Sequence, residues 1–234
     1  MGGDGTLHEI INGLLNRTDK KIIPIAIIPT GSGNSFSRDI KIDSVNQAID
    51  VIINSNPQYV DLIKVISGNK IIYSCNIIGW GLVNQIGEKA ERYRWLGSIR
   101  YTIFSIIEVI RFKAKFAKIC FNEKQVSDKF SFITISNTSH AGNKMKIAPK
   151  AKIDDGLLDI ITINHTVSKL KLLTLLPKVY NGNHIKHSEI KYYQRKEITL
   201  ETKQNDNLNI DGEKIGETPF KASILSGKIQ IFKF

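Results

Sequence analysis

Two glycine-rich turns near the start of this 234-residue chain limit the folds that it can adopt. They are GGDGT at residues 2–6 and GSGN at residues 31–34. Glycine lets backbone N–H groups approach an anion, because no Cβ obstructs a close contact or a positive φ. The residues after the first turn predict an amphipathic helix, whose N-terminus attracts phosphate. The apolar face of this helix consists of Leu7, Ile10, Ile11, Leu14 and Leu15.

A buried strand and a second helix are predicted around the GSGN turn. Residues 22–28 form a nearly continuous apolar run, which is typical of a strand covered on both faces in a parallel sheet. Ser44 is the expected N-cap of the next helix. A lone glycine turn is weak evidence, but a pair separated by a helix and a strand indicates half of a nucleotide-binding α/β domain. The inward-facing residues of the second helix are expected to be Val45, Ala48, Ile49 and Ile52.

Short β-rich segments dominate the chain after Tyr59. The sequence SGNK at residues 67–70 predicts a hairpin between two strands. Helical patterns interrupt the strands at residues 87–113, with a break at Gly97, and before Pro177. The spacing of the remaining strands favours an antiparallel sandwich or a barrel-like sheet.

We therefore predict an α/β + β fold in two domains. A truncated α/β nucleotide-binding domain with both glycine turns is expected at residues 1–57, and an antiparallel β-sandwich domain at residues 58–234. Cys75 and Cys120 suit a reduced interior; a disulfide framework is excluded, and a single disulfide stays open. No long uncharged apolar run or signal-peptide pattern is present, so we expect a cytoplasmic protein.

The net charge of +11 has three competing explanations. They are nucleic-acid binding, an anionic membrane surface, and a composition that is simply rich in lysine. The chain has no zinc-finger spacing and no basic stripe interleaved with aromatic residues, so nucleic acid is the least favoured partner.

Four separated motifs together resemble one known family. GGDGTLHEIINGLL with PTGSGN, GWGLVNQIGEKAERYRWLGSIRYT, APKAKIDDGLLDI and LNIDGE resemble the diacylglycerol-kinase catalytic family, which includes sphingosine kinases, ceramide kinases and bacterial lipid kinases. The GGDG loop is more distantly similar to that of NAD kinases. This resemblance implies an α/β domain followed by a β-sandwich, with ATP and a lipid alcohol meeting in the cleft between them.

The resemblance also implies a set of nucleotide-binding residues. A guanidinium group suits phosphate because its charge is permanent and its donors form a fork. For the two arginines, a solvated helix face is the alternative interpretation. The implied residues are Gly2, Gly3, Asp4, Gly5, Thr6, Leu7, His8, Glu9, Gly31, Ser32, Gly33, Asn34, Arg94 and Arg100.

Carboxylates carry the implied catalysis. Asp211 matches the proposed base of the family, with Glu213 beside it, and Asp4 would lie near the γ-phosphate and Mg²⁺. The sequence DGE is also a common hairpin turn, and both interpretations can hold together. A proton is then lost from the lipid hydroxyl while the phosphoryl group is transferred in line.

A second magnesium site is implied at residues 150–155. Asp155 would supply a side chain, whereas Lys150 and Ile153 would supply carbonyl oxygens, which suit a hard cation. A simple turn is the alternative interpretation of DDG. His184 and His187 lack a third ligand nearby in the sequence, so we expect both to be exposed to solvent.

Two features depart from the family pattern. The family has a strand–helix unit ahead of GGDGT, which this sequence lacks, and an upstream start of the gene is the expected explanation. The sphingosine kinases have an aspartate that engages the sphingoid head group, and Gly87 occupies that position here.

The expected function is that of an ATP- and Mg²⁺-dependent kinase of a lipid alcohol, either diacylglycerol or a sphingoid-type lipid. The alternatives are a soluble-metabolite kinase of the NAD-kinase type and an inactive remnant that binds nucleotide or lipid. The expected partner is a lipid substrate at a membrane surface, with the protein cytoplasmic and peripheral at the membrane. A homodimer stays open, and no nucleic acid is expected.

Overall fold

The computed structural model describes residues 1–97, 99–121, 124–142 and 144–234, without the side chains of Glu91 and Arg94. The described residues contain α-helices and two 3-10 turns, at Arg94–Leu96 and Asn183–Lys186. The α-helices are α1 (Asp4–Leu15), α2 (Ser35–Asp39), α3 (Val45–Asn54), α4 (Leu82–Arg92), α5 (Ile99–Arg111) and α6 (Lys169–Val179).

The strands of the described residues lie after residue 56 and pair antiparallel with one another. They are β1 (Pro57–Ser67), β2 (Lys70–Ser74), β3 (Ile77–Gly81), β4 (Lys115–Phe121), β5 (Lys124–Ser136), β6 (Leu158–Asn164), β7 (Ile190–Arg195), β8 (Glu197–Thr202), β9 (Asn207–Ile210), β10 (Glu213–Glu217) and β11 (Phe220–Phe232). The main path has the order β10-β9-β3-β5-β4-β8-β11-β1-β2, and β6 pairs with β5 and β7.

A short α/β region followed by an antiparallel β-sandwich confirms the predicted fold class. The sandwich core contains side chains from most of the strands, among them Ile63, Trp80, Ile119 and Leu200. This is the expected result of alternating apolar residues on strands that face one another across two layers.

A second core joins the N-terminal region to the sandwich. Leu7 and Ile11 of α1 pack there with Val60 of β1 and Ile231 of β11. Because these residues lie on both sides of residue 57, the domain boundary at 57/58 stays a prediction.

The predicted strand at residues 22–28 is wrong. Ile25 forms a parallel bridge with Ile231, and Gly2 forms one with Pro29, but no continuous ladder connects these bridges. Ile22 and Ile23 are exposed. The physical reason is that a strand needs consecutive partners, and this segment meets its neighbours at isolated points.

The second helix is also only partly as predicted. Ser44 caps α3 by accepting a hydrogen bond from the Gln47 N–H, as expected. Ala48 is buried, but the other three predicted inward residues are exposed. The reason is that the buried side of α3 is the one that carries Ala48 and Val51. These exposed residues are Val45, Ile49 and Ile52.

Most of the remaining elements match the sequence patterns. The hairpin of β1 and β2 is confirmed, and Gly97 breaks the helical segment between α4 and α5 with φ +62°. Pro177 lies inside the last turn of α6, which ends at Val179. Strand β7 was not predicted. Both cysteines are free thiols.

Candidate active site

A cavity of about 670 Å³ lies between the two glycine turns and helices α4, α5 and α6. Its polar end includes Gly3–Thr6, residues 31–33 and the carboxylates of Asp211 and Glu213. The other end is apolar. The apolar end is lined by side chains that include Leu82, Ile86, Val109, Phe132, Met145, Ile163, Leu172, Leu175 and Leu176.

The two glycine turns touch each other at the polar end. A Cβ added to Gly31 would lie 2.5 Å from the Cα of Gly3, and one added to Gly3 would lie 2.9 Å from the Cα of Gly31. Any side chain at either position would therefore push the turns apart. The predicted pairing of GGDGT with GSGN around one site agrees with this contact.

Asp4 connects the two turns. Its Oδ2 accepts a hydrogen bond from the Ser35 N–H at 2.9 Å, and its Oδ1 accepts one from the Phe36 N–H at 3.1 Å. These N–H groups belong to the first turn of α2, where no carbonyl of the helix can reach them. The Asn76 amide also lies 3.4 Å from Oδ1. Asp4 therefore fixes the distance between the turns as well as placing a charge at the cavity.

Asn34 closes the GSGN turn with its side-chain amide. Its Oδ1 accepts from the Gly31 N–H, and its Nδ2 donates to the Gly31 carbonyl at 2.7 Å. The amide therefore closes its own turn, with the Asn34 backbone at φ +50°, and does not tie one turn to the other. Asparagine tolerates this left-handed conformation better than most residues.

Asp211 is the most densely bonded side chain of the site. Its carboxylate accepts from the Nδ1–H of His8 at 2.8 Å and from the hydroxyl of Ser74 at 2.7 Å. Three backbone N–H groups at the start of β3 also donate to it, at 2.9 to 3.0 Å. These N–H groups belong to Cys75, Asn76 and Ile77.

The bonds to Asp211 determine its charge. Burial by itself raises the pKa of this carboxyl, but the His8 hydrogen bond, the His8 charge, Ser74 and the Ile77 N–H lower it further, so the net pKa is lowered. Burial lowers the pKa of His8, whereas Asp211, Glu213 and Glu9 raise it more, and the net pKa is raised. The two side chains therefore form a buried ion pair that links α1 to the turn between β9 and β10.

Glu213 lies two residues after Asp211 and is exposed at the polar end. Its Oε1 is 3.6 Å from the position of a Cβ on Gly5, so it faces the first glycine turn. The family-implied carboxylates Asp4, Asp211 and Glu213 thus all line one end of one cavity.

Asn209, which the predictions missed, lies beside Gly87 at this end of the cavity. Asn209 is 6% exposed, and its Oδ1 accepts from the Gly212 N–H at 3.2 Å. Among the described residues, its Nδ2 has no hydrogen-bond partner. A Cβ on Gly87 would lie 2.7 Å from this Nδ2, so a side chain at residue 87 would displace Asn209. The period of two along LNID, which puts Asn209 on the face of Asp211, was the available signal.

Of the two predicted arginines, Arg100 has a described side chain and Arg94 does not. Arg100 is 3% exposed, donates to the Gly97 carbonyl, and has its NH2 group 3.4 Å from the hydroxyl of Ser32. A solvated helix face is therefore the wrong interpretation for Arg100. The side chain of Arg94 lies outside the described part of the structure.

Several predicted nucleotide-binding residues stand behind the cavity wall. Leu7 packs in the second core, and His8 lies behind Asp211. Gly2 donates its N–H to the Ile28 carbonyl and supports the turn. Gly5, Thr6 and Glu9 line the cavity, as does Gly33.

The region implied as a second magnesium site is a turn anchored by Asp61. This buried carboxylate accepts from the N–H groups of Gly156 and Gly227, both at 2.7 Å. The Ile153 carbonyl accepts from the Asp61 N–H, and Asp155 Oδ1 accepts from the Leu157 N–H. Lys150 is exposed. Within the described residues, no group of three or more His, Cys, Asp or Glu side chains is placed to hold a metal ion.

His184 corrects one expectation. It is 2% exposed, and its Nε2 lies at hydrogen-bond distance, 2.9 Å, from the Ile147 carbonyl oxygen. The ring also borders the cavity. Burial lowers its pKa. His187 is half-buried and lies 2.8 Å from the ammonium of Lys178.

Two family models together match almost the whole chain. The model of the diacylglycerol kinase catalytic domain matches residues 1–65, and that of the YegS C-terminal NAD kinase beta sandwich-like domain matches residues 76–233. The chain belongs to this diacylglycerol kinase and YegS-like family.

Individual relatives agree with this assignment. The chain is 28% identical to sphingosine kinase 2 of Arabidopsis thaliana, over 86% of this chain and 52% of that protein. It is 27% identical to a diacylglycerol kinase of Mycobacterium tuberculosis, over 99% of this chain and 75% of that protein. The chain thus spans about half the length of the plant relative.

A solved structure has the same fold. A Bacillus anthracis protein assigned as a diacylglycerol kinase superposes with a TM-score of 0.80 and 27% identity, covering 99% of this chain and 76% of that chain. Among the described residues, no helix has the length and apolar character needed to cross a membrane.

Proposed function

We propose that this chain transfers the γ-phosphate of ATP to the hydroxyl group of a lipid alcohol. The observation that carries this proposal is one cavity with two chemically different ends. Glycine turns and carboxylates form one end, and aliphatic side chains of α4, α5 and α6 form the other. A phosphoryl donor suits the first end and an acyl chain suits the second.

The polar end suits a nucleotide phosphate. The first turn of α1 offers the N–H groups of Asp4, Gly5 and Thr6, which have no carbonyl partner within the helix. The contact between Gly3 and Gly31 keeps this turn free of side-chain bulk. Arg100 and Ser32 lie together at the same cavity, so Arg100 is suited to neutralise phosphate charge.

Asp211 is our candidate for the base. Its bonds keep it ionised, and an ionised carboxylate accepts a proton only as the new P–O bond forms. These hydrogen bonds also fix the orientation of the Asp211 carboxylate, which favours an in-line geometry of transfer. Glu213 is the second candidate, because it is the exposed carboxylate of the same turn.

Magnesium would serve two places in this proposal. Mg²⁺ bound with ATP neutralises charge on the transferring group, and Asp4 and Glu213 are the carboxylates close to the glycine turns. The second site would be held by Asp155 and the carbonyls of Lys150 and Ile153, all oxygen donors of the kind that Mg²⁺ prefers. The charge of Asp61 beside Asp155 is consistent with a cation there.

The substrate class follows from Gly87 and Asn209. A sphingoid amine needs an anionic partner, and residue 87 provides none. The unpartnered Nδ2 of Asn209 is a donor, so it suits a hydroxyl or carbonyl oxygen of the lipid. We therefore favour neutral lipid alcohols, such as diacylglycerol or ceramide, over sphingosine.

The test is phosphoryl transfer from γ-labelled ATP with Mg²⁺ to separate acceptors. Diacylglycerol, monoacylglycerol, ceramide, sphingosine and NAD form the panel, because the C-terminal domain matches a NAD kinase beta sandwich-like family. We expect label in a neutral lipid and far less in sphingosine. Label in NAD alone, or in no acceptor, would refute the proposal.

A matched pair of variants assigns the carboxylates. Glu213→Gln removes a carboxylate at the cavity, whereas Glu197→Gln removes one on β8 that pairs with Lys221 at the surface. A large loss of turnover with Glu213→Gln would favour Glu213 as the base. Retained turnover would leave that role to Asp211.

A further inference from the structure

Asp39, the last residue of α2, lies at the centre of a second hydrogen-bonded cluster. Its Oδ1 accepts from the Ser139 hydroxyl at 2.5 Å and from the Nδ1–H of His140 at 2.6 Å. Its Oδ2 accepts from the backbone N–H groups of the same two residues, at 2.5 Å and 3.4 Å. The Asp39 side chain is only 9% exposed. Four donors on one carboxylate therefore tie the end of α2 to the loop after β5, at residues 137–142.

The loop after β5 is also bonded to Asn76, the residue before β3. The Asn137 N–H donates to the Asn76 carbonyl at 2.8 Å, and the Thr138 hydroxyl donates to the Asn76 Oδ1 at 3.2 Å. The Asn76 Nδ2 then lies 3.4 Å from the Oδ1 of Asp4. Asn76 and Thr138 are both buried. The loop therefore reaches Asp4 through a buried amide, where water competes little for hydrogen bonds.

These contacts form a closed circuit. Asp4 accepts from the Ser35 and Phe36 N–H groups in the first turn of α2, and Asp39 lies at the other end of this five-residue helix. Helix α2 thus connects Asp4 to Asp39, the loop connects Asp39 to Asn76, and the Asn76 amide returns to Asp4. We call this circuit the Asp39 ring. Besides α2, it consists of Asp4, Asn76, Thr138, Ser139 and His140.

The Asp39 ring borders the polar end of the cavity. A Cβ added to Gly33 would lie 2.9 Å from the Asp4 Oδ2 and 3.8 Å from the Gly142 carbonyl oxygen, so the second glycine turn lies between Asp4 and the loop. Asp4 and Asn76 line the cavity, as does Ala141 beside the ring. The ring therefore connects a cavity carboxylate to groups behind the cavity wall.

We propose that Asp39 is a positioning residue for phosphoryl transfer and acts on Asp4 through the Asp39 ring. The Asp4 carboxylate is held by the α2 N–H groups and by the Asn76 amide, and both connections lead back to Asp39. A carboxylate held from two sides keeps one orientation, and a misplacement of about 1 Å at a reacting centre can cost about a hundredfold in rate. The positioning of Asp4 by the ring is independent of kinase activity. Its use in phosphoryl transfer rests on the proposed function.

A double-mutant cycle on the full chain tests whether Asp39 and Asn76 act through one ring. Asp39→Asn points an amide toward two N–H donors, and Asn76→Ala removes the amide that reaches Asp4. Because members of one network are not additive, we expect each single variant to lower kcat about tenfold and the double variant to lower it no further. Asp19→Asn, which breaks an exposed pair with Arg17, is the control and should keep kcat.

Two results of this cycle would overturn the proposal. Independent effects would multiply to about a hundredfold in the double variant, which would mean that the two residues do not share a ring. A kcat for Asp39→Asn equal to that for Asp19→Asn would mean that Asp39 has no influence on transfer.

A matched pair at His140 applies the same test if Asp39→Asn does not fold. His140→Asn keeps an N–H donor close to the position of Nδ1, whereas His140→Leu has nearly the shape of Asn without a donor. The His140 side chain is 21% exposed, so the site tolerates either residue. We expect His140→Leu to lose about fivefold more kcat than His140→Asn, because one hydrogen bond to Asp39 is missing. Equal kcat values for the pair would overturn the proposal.

Amide hydrogen exchange without substrate separates this proposal from the kinase proposal. The Ser35 and Phe36 N–H groups donate to Asp4, so Asp39→Asn should speed their exchange about tenfold and leave the amides of β8 in the sandwich unchanged. Unchanged exchange at the two amides, or equal acceleration in β8 from a general loss of stability, would overturn the positioning role. Faster exchange at these two amides alone, in a chain that phosphorylates no acceptor, refutes the kinase proposal and leaves the positioning of Asp4 by the ring intact.

Discussion

The two ends of the cavity are built in different ways. At the polar end, hydrogen bonds to the carboxylates of Asp4 and Asp211 join segments that are far apart in sequence, such as α1, the start of α2 and the start of β3. At the apolar end, helices α5 and α6 meet chiefly through side-chain packing. Phosphoryl transfer needs fixed geometry, whereas an acyl chain needs volume, and the two constructions match these needs.

The largest effect is expected for Asp211→Asn. The substitution leaves His8 buried without its anion and turns an amide toward backbone N–H donors. Breaking a buried pair on one side costs about 3 kcal/mol or more. Urea unfolding should show this loss in the free energy of unfolding, together with loss of turnover.

Asp43→Asn is the matched control for that prediction. Asp43 pairs with Arg38, but its side chain is 56% exposed, so removing its charge should not change stability measurably. If Asp211→Asn costs no more than Asp43→Asn, the polar end is not the rigid part of the molecule.

A pH dependence is expected next in size, from the His8–Asp211 pair. The pKa of His8 is raised above its ordinary 6.5, so its contribution is present below that pH and is lost as the pH rises through the folded value. The pKa of Asp211 is lowered below its ordinary 3.8, so its contribution is present above that pH and is lost as the pH falls through the folded value. The pair is therefore most stabilising between these two ordinary values.

His8→Gln measures this contribution. At about pH 5 the unaltered chain should exceed the variant by about 2 kcal/mol in free energy of unfolding, because a hydrogen bond to a charged group is lost. The difference should shrink as the pH rises well above the ordinary His value. A difference that does not vary with pH would mean that the ring contributes by packing and not by charge.

At the apolar end, Leu176→Trp should reduce activity on long-chain lipid. The larger ring occupies chamber volume beside α6, so we expect about a tenfold fall in kcat/KM for a long-chain acceptor, with the affinity for ATP unchanged. Thr174→Trp, on an exposed position of the same helix, is the control. Equal effects of both variants would show that the chamber does not hold the acyl chain.

The residues of the polar end were easier to predict from the sequence than the hydrogen bonds that position them. Short motifs carry the glycine turns, Asp4, Asp211 and Glu213, and these residues do line one cavity end. The donors to Asp211 come from Ser74 to Ile77, a segment more than 130 residues away, and no local pattern connects the two. The burial of His184 was missed for the same reason, since its acceptor belongs to Ile147.

The helical patterns predicted which segments form helices better than they predicted which side of each helix is buried. The apolar spacing in α5 correctly indicated a helix, but spacing alone does not say which apolar residues meet the core. Apolar residues occur on both sides of α5, and only the positions of α4, α6 and the sandwich decide that Val109 is buried and Ile110 exposed. In α3 the same ambiguity led to the wrong inward face.

The smallest effect is expected at the junction of the two ends, for Asn209→Ala. The variant removes one hydrogen bond, from the Gly212 N–H to Oδ1, and an Nδ2 that has no partner among the described residues, so the free energy of unfolding should fall by only about 1 kcal/mol. Loss of a single neutral hydrogen bond to the lipid should raise KM for diacylglycerol about fivefold and leave kcat nearly unchanged. Asn205→Ala, on the exposed turn before β9, should alter neither constant. A purely structural role for Asn209 would instead leave KM unchanged, so the KM of the variant decides whether the amide contacts the substrate.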